Sequence, residues 1–344
     1  MPEFTTAAIN KRATYSAFMR RQLFGKLPVI SENDVSLSGK TAVVTGSNTG
    51  IGFECCKQLI DLGLSTLIIA VRSEPKGEEA KSQILLEKCN KKCQISVRKL
   101  DLSDYESIVA FAEYTKTLDR LDIVINNAGL TKKNFSLDPK TGHEESIQVN
   151  YLGNALLVIL LLPIIQSKNT PQQPGRLSFV NSDTPSWAKF REQTATPLLP
   201  AFDKPETFDF QDRYSTSKLL GQLFLKELAE HVPPSVAIIN ACNPGLCKTG
   251  LTRELEGSLI GYIASVFLFL LARTSADGAR SLTDAVVNHG DKSHGQYLED
   301  GRVEPLAPFV YKAEGDRIAK KLWQETMDEL AFAGVKDIVK SLEK

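Results

Sequence analysis

The 344-residue sequence carries no surplus of charge, because 41 lysines and arginines face 41 aspartates and glutamates. A chain without a basic field has little to draw it to nucleic acid or anionic lipid, so no nucleic-acid partner is expected. Cysteine is scarce: Cys55, Cys56, Cys89, Cys93, Cys242 and Cys247 form no CxxC pair, and the four histidines show no HxxxH spacing. A disulfide framework and a built-in metal site are both excluded as starting points. Cys247 is the one thiol inside a motif, and a small apolar filler is its default role. No secretory h-region opens the sequence, so reduced thiols and a cytoplasmic location are expected. Residues 257–272 lack charge but are bracketed by Glu256 and Arg273, and sixteen residues fall short of the roughly 20 a membrane span needs. They read as a buried or substrate-facing helix, with membrane contact open but not expected.

What is present is ordinary globular usage, with 42% hydrophobic and 24% charged residues, which excludes disordered and collagen-like classes. Residues 1–38 stand apart as an N-terminal extension. Lys11, Arg12, Arg20, Arg21 and Lys26 are basic, no acid occurs between Glu3 and Glu32, and Tyr15, Phe18, Met19 and Leu23 share a helical face. A transit peptide, an interfacial helix and an arm docked on the main body all fit, and the docked arm is favoured. Residues 39–344 then form the main domain. Short β-branched runs (41–45, 66–71, 94–100, 122–125, 176–181 and 235–240) alternate with helical patterns (50–62, 76–89, 105–118, 142–167 and 213–230). Such alternation predicts an α/β fold: a Rossmann-like doubly wound parallel sheet with helices on both faces, in a single domain. Residues 187–212, with Pro197, Pro200 and Pro205, are long for a connection and read as a substrate lid or partner surface.

The first strand runs into Thr45-Gly46-Ser47-Asn48-Thr49-Gly50-Ile51-Gly52 and then a helix. Glycines at that junction let a pyrophosphate approach the backbone, and the helix N-terminus offers it N–H groups and partial positive charge. The spacing is neither GxGxxG nor a Walker sequence. The second strand ends in Val71-Arg72-Ser73, with no acid before Glu74. An acid there would bind a ribose 2′-hydroxyl, whereas Arg72 suits a 2′-phosphate, so the cofactor expected is NADP(H).

Seven elements in order along residues 38–330 resemble the short-chain dehydrogenase/reductase family. Residues 45–52 are similar to its TGxxxGxG turn, Asp101 followed by Leu102 to its adenine-contacting acid, and Asn126-Asn127-Ala128-Gly129 to its NNAG element. Asn150 matches the helix asparagine, Ser182 the catalytic serine, Tyr214-x3-Lys218 the catalytic pair, and Asn243-Pro244-Gly245 with Thr249 the segment that holds the nicotinamide amide. By this resemblance Asn150, Ser182, Tyr214 and Lys218 are catalytic. Gly46 to Gly52, Arg72, Asp101, Leu102, Asn127, Ala128, Gly129, Tyr214, Lys218, Pro244, Gly245 and Thr249 contact the cofactor. Asp101 also reads as a cap for the following helix.

The chemistry fits those residue types. Tyr214 and Lys218 lie one helical turn apart, so an ammonium sits near a phenol whose ordinary pKa of about 10 is too high for proton exchange at neutral pH. Tyr214 would protonate a carbonyl oxygen, Ser182 would hydrogen-bond the same oxygen, and Asn150 would hold a water linking Lys218 to solvent. The 32-residue spacing between Ser182 and Tyr214, the Ala70-Val71-Arg72 strand end and the tail at Tyr297 and Leu322-Trp323 resemble the retinol-dehydrogenase-like branch and fungal biosynthetic reductases of secondary metabolism. That branch implies a lipophilic small-molecule substrate interconverted between carbonyl and alcohol; abundant cellular NADPH favours the reducing direction by mass action, and either a monomer or a homodimer is open. An enzyme acting on an imine or directing a rearrangement or cyclisation is the alternative on the same scaffold. A non-catalytic nucleotide-sensing scaffold is the alternative of another class.

Overall fold

The computed structural model describes residues 4–89, 92–249 and 271–343. The uncharged stretch 257–272 lies outside these except for Leu271 and Ala272.

The nucleotide half alternates strand and helix as the sequence predicts: β1 (Thr41–Thr45), α3 (Gly50–Asp61), β2 (Thr66–Val71), α4 (Glu74–Glu87), β3 (Gln94–Lys99), α5 (Tyr105–Lys116) and β4 (Ile123–Asn126). Two shorter helices precede it, α1 (Thr6–Arg12) and α2 (Tyr15–Phe24). The second half adds helix α6 (Glu145–Lys168), β5 (Gly175–Val180), α7 (Phe210–His231), β6 (Ala237–Asn243), α8 (Ser275–Val287), β7 (Tyr297–Glu299), β8 (Arg302–Glu304), α9 (Ala313–Glu329) and α10 (Val335–Leu342). The strands form one sheet in the order β3-β2-β1-β4-β5-β6-β7-β8, parallel except for the β7–β8 hairpin. Every residue of β1 is buried, which is what a strand covered by helices on both faces requires. One core packs α5, α6, α7, α9 and α10 on one face, and a second packs α3 and α8 on the other. The crevice between β1 and β4, where chain direction across the sheet reverses, is where such a fold places its ligand.

Element ends differ from the sequence expectation by a few residues, for local reasons. Helix α7 starts at Phe210 because Asp209 accepts hydrogen bonds from the N–H groups of Gln211 and Asp212, a cap hidden by the proline-rich run before it. Strand β6 extends to Asn243 because buried pairing with β7 continues there, and that hairpin was not expected at all. Helix α6 is long and apolar enough to cross a membrane, yet 83% of its apolar window is buried, which makes it the central core helix.

Residues 187–212 are folded into the body instead of standing free. Phe190, Leu198, Leu199 and Phe202 are buried, Glu325 on α9 accepts from the N–H groups of Leu198 and Leu199, and buried Arg213 pairs with Glu192 at 3.0 Å. The N-terminal extension is docked, as favoured, but of the predicted apolar face only Phe18 is buried. Tyr15 is 57% and Leu23 49% exposed, while Ile9, Arg12, Phe18 and Gln22 are buried, so polar groups carry much of the contact.

Candidate active site

The glycine turn is built for a close approach to its backbone. Gly46 and Gly50 have φ of +62° and +63°, which other residues adopt at a cost. A Cβ on Gly46 would lie 2.9 Å from the Ala128 Cα, and one on Gly52 would lie 2.6 Å from the Asn127 amide nitrogen. Thr45 and Asn127 lock the turn to the end of β4: the Thr45 hydroxyl accepts from the N–H groups of Asn127 and Ala128 at 3.0 and 2.8 Å. The Asn127 side chain donates to the carbonyls of Thr45 and Gly46. Ser47 turns inward and donates to the Val44 carbonyl, so it shapes the loop, leaving the more accessible Asn48 and Thr49 at its rim. Helix α3, with Ile51 in its first turn, has no side-chain cap at its N-terminus, and its leading N–H groups are free of that competition for a phosphate. Thr249 comes within 3.8 Å of the Gly50 Cβ position, which brings the 244–249 segment over the turn. The donor set and the backbone cradle fit a nicotinamide dinucleotide.

At the end of β2, Arg72 is exposed. Asp101 sits after β3, and its carboxylate accepts from the Ser103 N–H and hydroxyl. Asp104, not Asp101, caps α5. That removes the helix-cap role for Asp101. The Leu102 side chain is buried in the core and its carbonyl accepts from Gln148, so its part in a cofactor site is limited to backbone.

The four catalytic candidates converge at the carboxyl ends of β4 and β5. Helix α6 passes through a π-helical turn at Gln148–Leu152, a departure often found at functional sites, and it carries Asn150. The Asn150 side chain is fixed at both ends: its Oδ1 accepts from the Leu130 N–H, and its Nδ2 donates to the Leu130 carbonyl and to the Ser217 hydroxyl. A Cβ on Gly129 would lie 3.0 Å from the Asn150 Oδ1 and 3.6 Å from the Lys218 Nζ, which places all three around one point. Tyr214 and Lys218 share one face of α7, with the Lys218 Nζ 6.0 Å from the tyrosine ring centre. Lys218 donates to the Val180 carbonyl at 2.8 Å, and burial pulls its pKa down to about 8. Burial pushes the Tyr214 phenol up to about 12, against a downward pull from the Ser182 hydroxyl. A nearby cation of fixed charge would lower the phenol further.

Several residues that hold this site were not evident from sequence. Asn181 accepts from the Ser182 N–H and donates to the Lys218 carbonyl, tying the serine loop to α7. Asn243 donates to Asp183 and Glu299, both at 2.7 Å, and its Oδ1 accepts from the Gly245 N–H. The Tyr297 hydroxyl donates to the Ser182 carbonyl. Asn243 and Tyr297 belong to segments the sequence singled out, but their hydrogen-bonding roles did not show there, and Asn181 was hinted at only by its place beside Ser182. Cys247 is buried and burial pushes its thiol up to about 12, in keeping with a filler.

A family model described as short chain dehydrogenase matches residues 40–186. The short-chain dehydrogenase fogG of Aspergillus ruber is 47% identical over 339 residues, covering 97% of each chain. Among solved structures, an uncharacterised protein from Mycobacterium paratuberculosis superposes with a TM-score of 0.64 at 25% identity, covering 88% of this chain and 98% of that one. An NADPH-bound short chain oxidoreductase from Pseudomonas aeruginosa shares the fold at 19% identity and a TM-score of 0.57, over 77% of this chain and 96% of its own.

Proposed function

The chain belongs to the short-chain dehydrogenase/reductase family, and we propose that within this family of oxidoreductases it is an NADP(H)-dependent enzyme reducing a lipophilic aldehyde or ketone to its alcohol. The observation that carries this reading is the convergence of Asn150, Ser182, Tyr214 and Lys218 beside the glycine cradle. Arg72 supports the cofactor choice, since a guanidinium pairs with a 2′-phosphate and the strand end offers no carboxylate for a ribose hydroxyl. The uncharged stretch 257–272 supports an apolar substrate.

When bound, the nicotinamide supplies hydride to the carbonyl carbon. The Tyr214 phenol gives its proton to the carbonyl oxygen, and the Ser182 hydroxyl donates a hydrogen bond to that oxygen as negative charge develops. Lys218, one turn along α7, stabilises the phenolate left behind and is placed to hold ribose hydroxyls. Asn150, immobilised by Leu130 and Ser217, orders the water through which the proton is replaced. Because burial lowers Lys218 to about 8 while Tyr214 stays protonated to about 12, reduction should slow as pH rises through about 8.

Fluorescence titration with NADPH and with NADH, followed by turnover of decanal and 2-decanone, tests the reading. NADPH should bind at least about ten-fold more tightly, and each NADPH oxidised should yield one alcohol. Equal affinities would remove the Arg72 assignment. Tight binding with no alcohol from either probe would turn the reading toward an imine or a non-redox rearrangement.

A further inference from the structure

Helices α1 and α2 contact groups that flank Ser182 and the 243–249 segment. Arg12, 8% exposed, pairs with Glu299 at 2.5 Å and Asp183 at 3.4 Å, and its guanidinium lies 4.8 Å from the Tyr297 ring centre. Arg21 pairs with the same two carboxylates, at 2.8 Å to Asp183 and 2.9 Å to Glu299. Asp183 directly follows Ser182, Tyr297 donates to the Ser182 carbonyl, and both carboxylates hold Asn243, which fixes Gly245. Gln22 completes the contact. Its Oε1 accepts from the Leu246 N–H, and its Nε2 donates to the carbonyls of Leu246 and Leu271, so one side chain ties both ends of the chain excursion between them. The Trp187 indole, at the start of the inserted segment, donates to the Ala13 carbonyl and packs edge-on against Phe18.

We propose that the N-terminal arm is part of the active-site machinery, with Arg12, Arg21 and Gln22 as positioning residues that hold Ser182 and residues 243–249 in register with Tyr214. The assignment rests on the oxidoreductase reading above and goes beyond it by giving the extension a task. Docking alone does not require this arrangement, because apolar side chains of similar volume would fasten a helix as well as buried ion pairs and without their desolvation cost. What charged groups add is direction. Two planar guanidiniums bridging two carboxylates fix the orientation of the backbone on which those carboxylates ride. A reacting geometry displaced by about 1 Å loses roughly 10²-fold in rate, so a modest loosening of the serine loop is read in turnover before it is read in binding.

The test uses the full chain and two variants, Arg21→Ala and Gln22→Ala, the second leaving no buried carboxylate short of a cation should the first fold poorly. Turnover of decanal, NADPH affinity by fluorescence, and amide hydrogen exchange are measured on each. Expected are a fall in kcat of about ten-fold or more, KM and NADPH Kd within about three-fold of wild type, and faster exchange concentrated in 181–187 and 243–249. Arg21→Lys should recover part of the lost kcat. Wild-type kcat in both variants, with only a lower melting temperature, would overturn the proposal and leave the arm as scaffolding. Wild-type protein that neither binds NADPH nor turns over a carbonyl would instead overturn the oxidoreductase reading, and exchange at 181–187 and 243–249 then decides separately whether the arm holds these segments.

Discussion

The two halves of the sheet hold their parts of the site by different means. In the nucleotide half the groups that shape the cofactor turn are close in sequence or one strand away: Ser47 closes on Val44, and Asn127 and Ala128 on Thr45. In the other half the serine loop and the 243–247 segment are fixed by side chains from far along the chain, Arg12 and Arg21 from the N-terminus and Glu299 from β7. Backbone conformation does the work on one side and buried charge on the other. A phosphate cradle needs only peptide N–H groups and room, which glycine supplies locally. A serine that must meet a moving substrate oxygen has to be held against displacement, and long-range ion pairs provide that.

The largest effect expected is on chemistry. Tyr214→Phe removes the proton donor and should lower kcat about 10²- to 10⁴-fold with little change in NADPH affinity; turnover within a few-fold of wild type would detach the tyrosine from catalysis. Next comes stability, where the halves should separate. Arg12→Ala leaves Glu299 and Asp183 buried with one cation between them and should cost about 3 kcal/mol. Lys57→Ala removes pairs to Glu54 and Glu87 that stand near solvent on α3 and α4, and should cost under about 1 kcal/mol. Equal losses in urea unfolding would dissolve the contrast. Arg72→Ala returns to the nucleotide half, where one exposed charge should matter for ligand and not for fold. NADPH should weaken by about ten-fold or more, NADH by far less, and the melting temperature should stay put.

The same division explains what the sequence disclosed. Residues 45–52, 126–129 and the Tyr214–Lys218 pair are legible because each acts through local geometry: a turn, a strand end, a helix face. The alternating β-branched runs placed the first six strands, most plainly β1, which is buried along its whole length and apolar but for its end threonines. The hairpin of β7 and β8 escaped, since three-residue strands leave almost no pattern to read. Asp183 and Glu299 escaped for another reason: a buried polar residue looks like a surface one until its partners are known, and theirs lie as far as 287 positions away. The arm was expected to dock, but its contacts were hidden in the same way. Its apolar face drew attention, while Arg12 and Gln22, ordinary solvent-facing types, share the docking with Phe18 and Ile9.

The last effect expected concerns how the inserted segment is pinned, and it fades with pH. His143 sits between Asp203 of that segment, 3.0 Å from its Nδ1, and Glu329 at the end of α9, 3.2 Å from its Nε2. Burial pulls its pKa down, but the two carboxylates outweigh that and raise it to about 9. Since the folded value lies above the unfolded one of about 6.5, the stabilisation is complete below about pH 6.5 and is lost as pH rises through about 9. His143→Gln should therefore lower stability by about 1–2 kcal/mol at pH 6 and by little at pH 10, a modest figure because both carboxylates retain some contact with water. Melting curves of both proteins across that range decide it. A difference that stays constant with pH would mean His143 contributes packing and hydrogen bonds but no charge. A difference that grows toward alkaline pH would contradict the assigned direction, and with it the view that this half of the molecule is held together by buried charge.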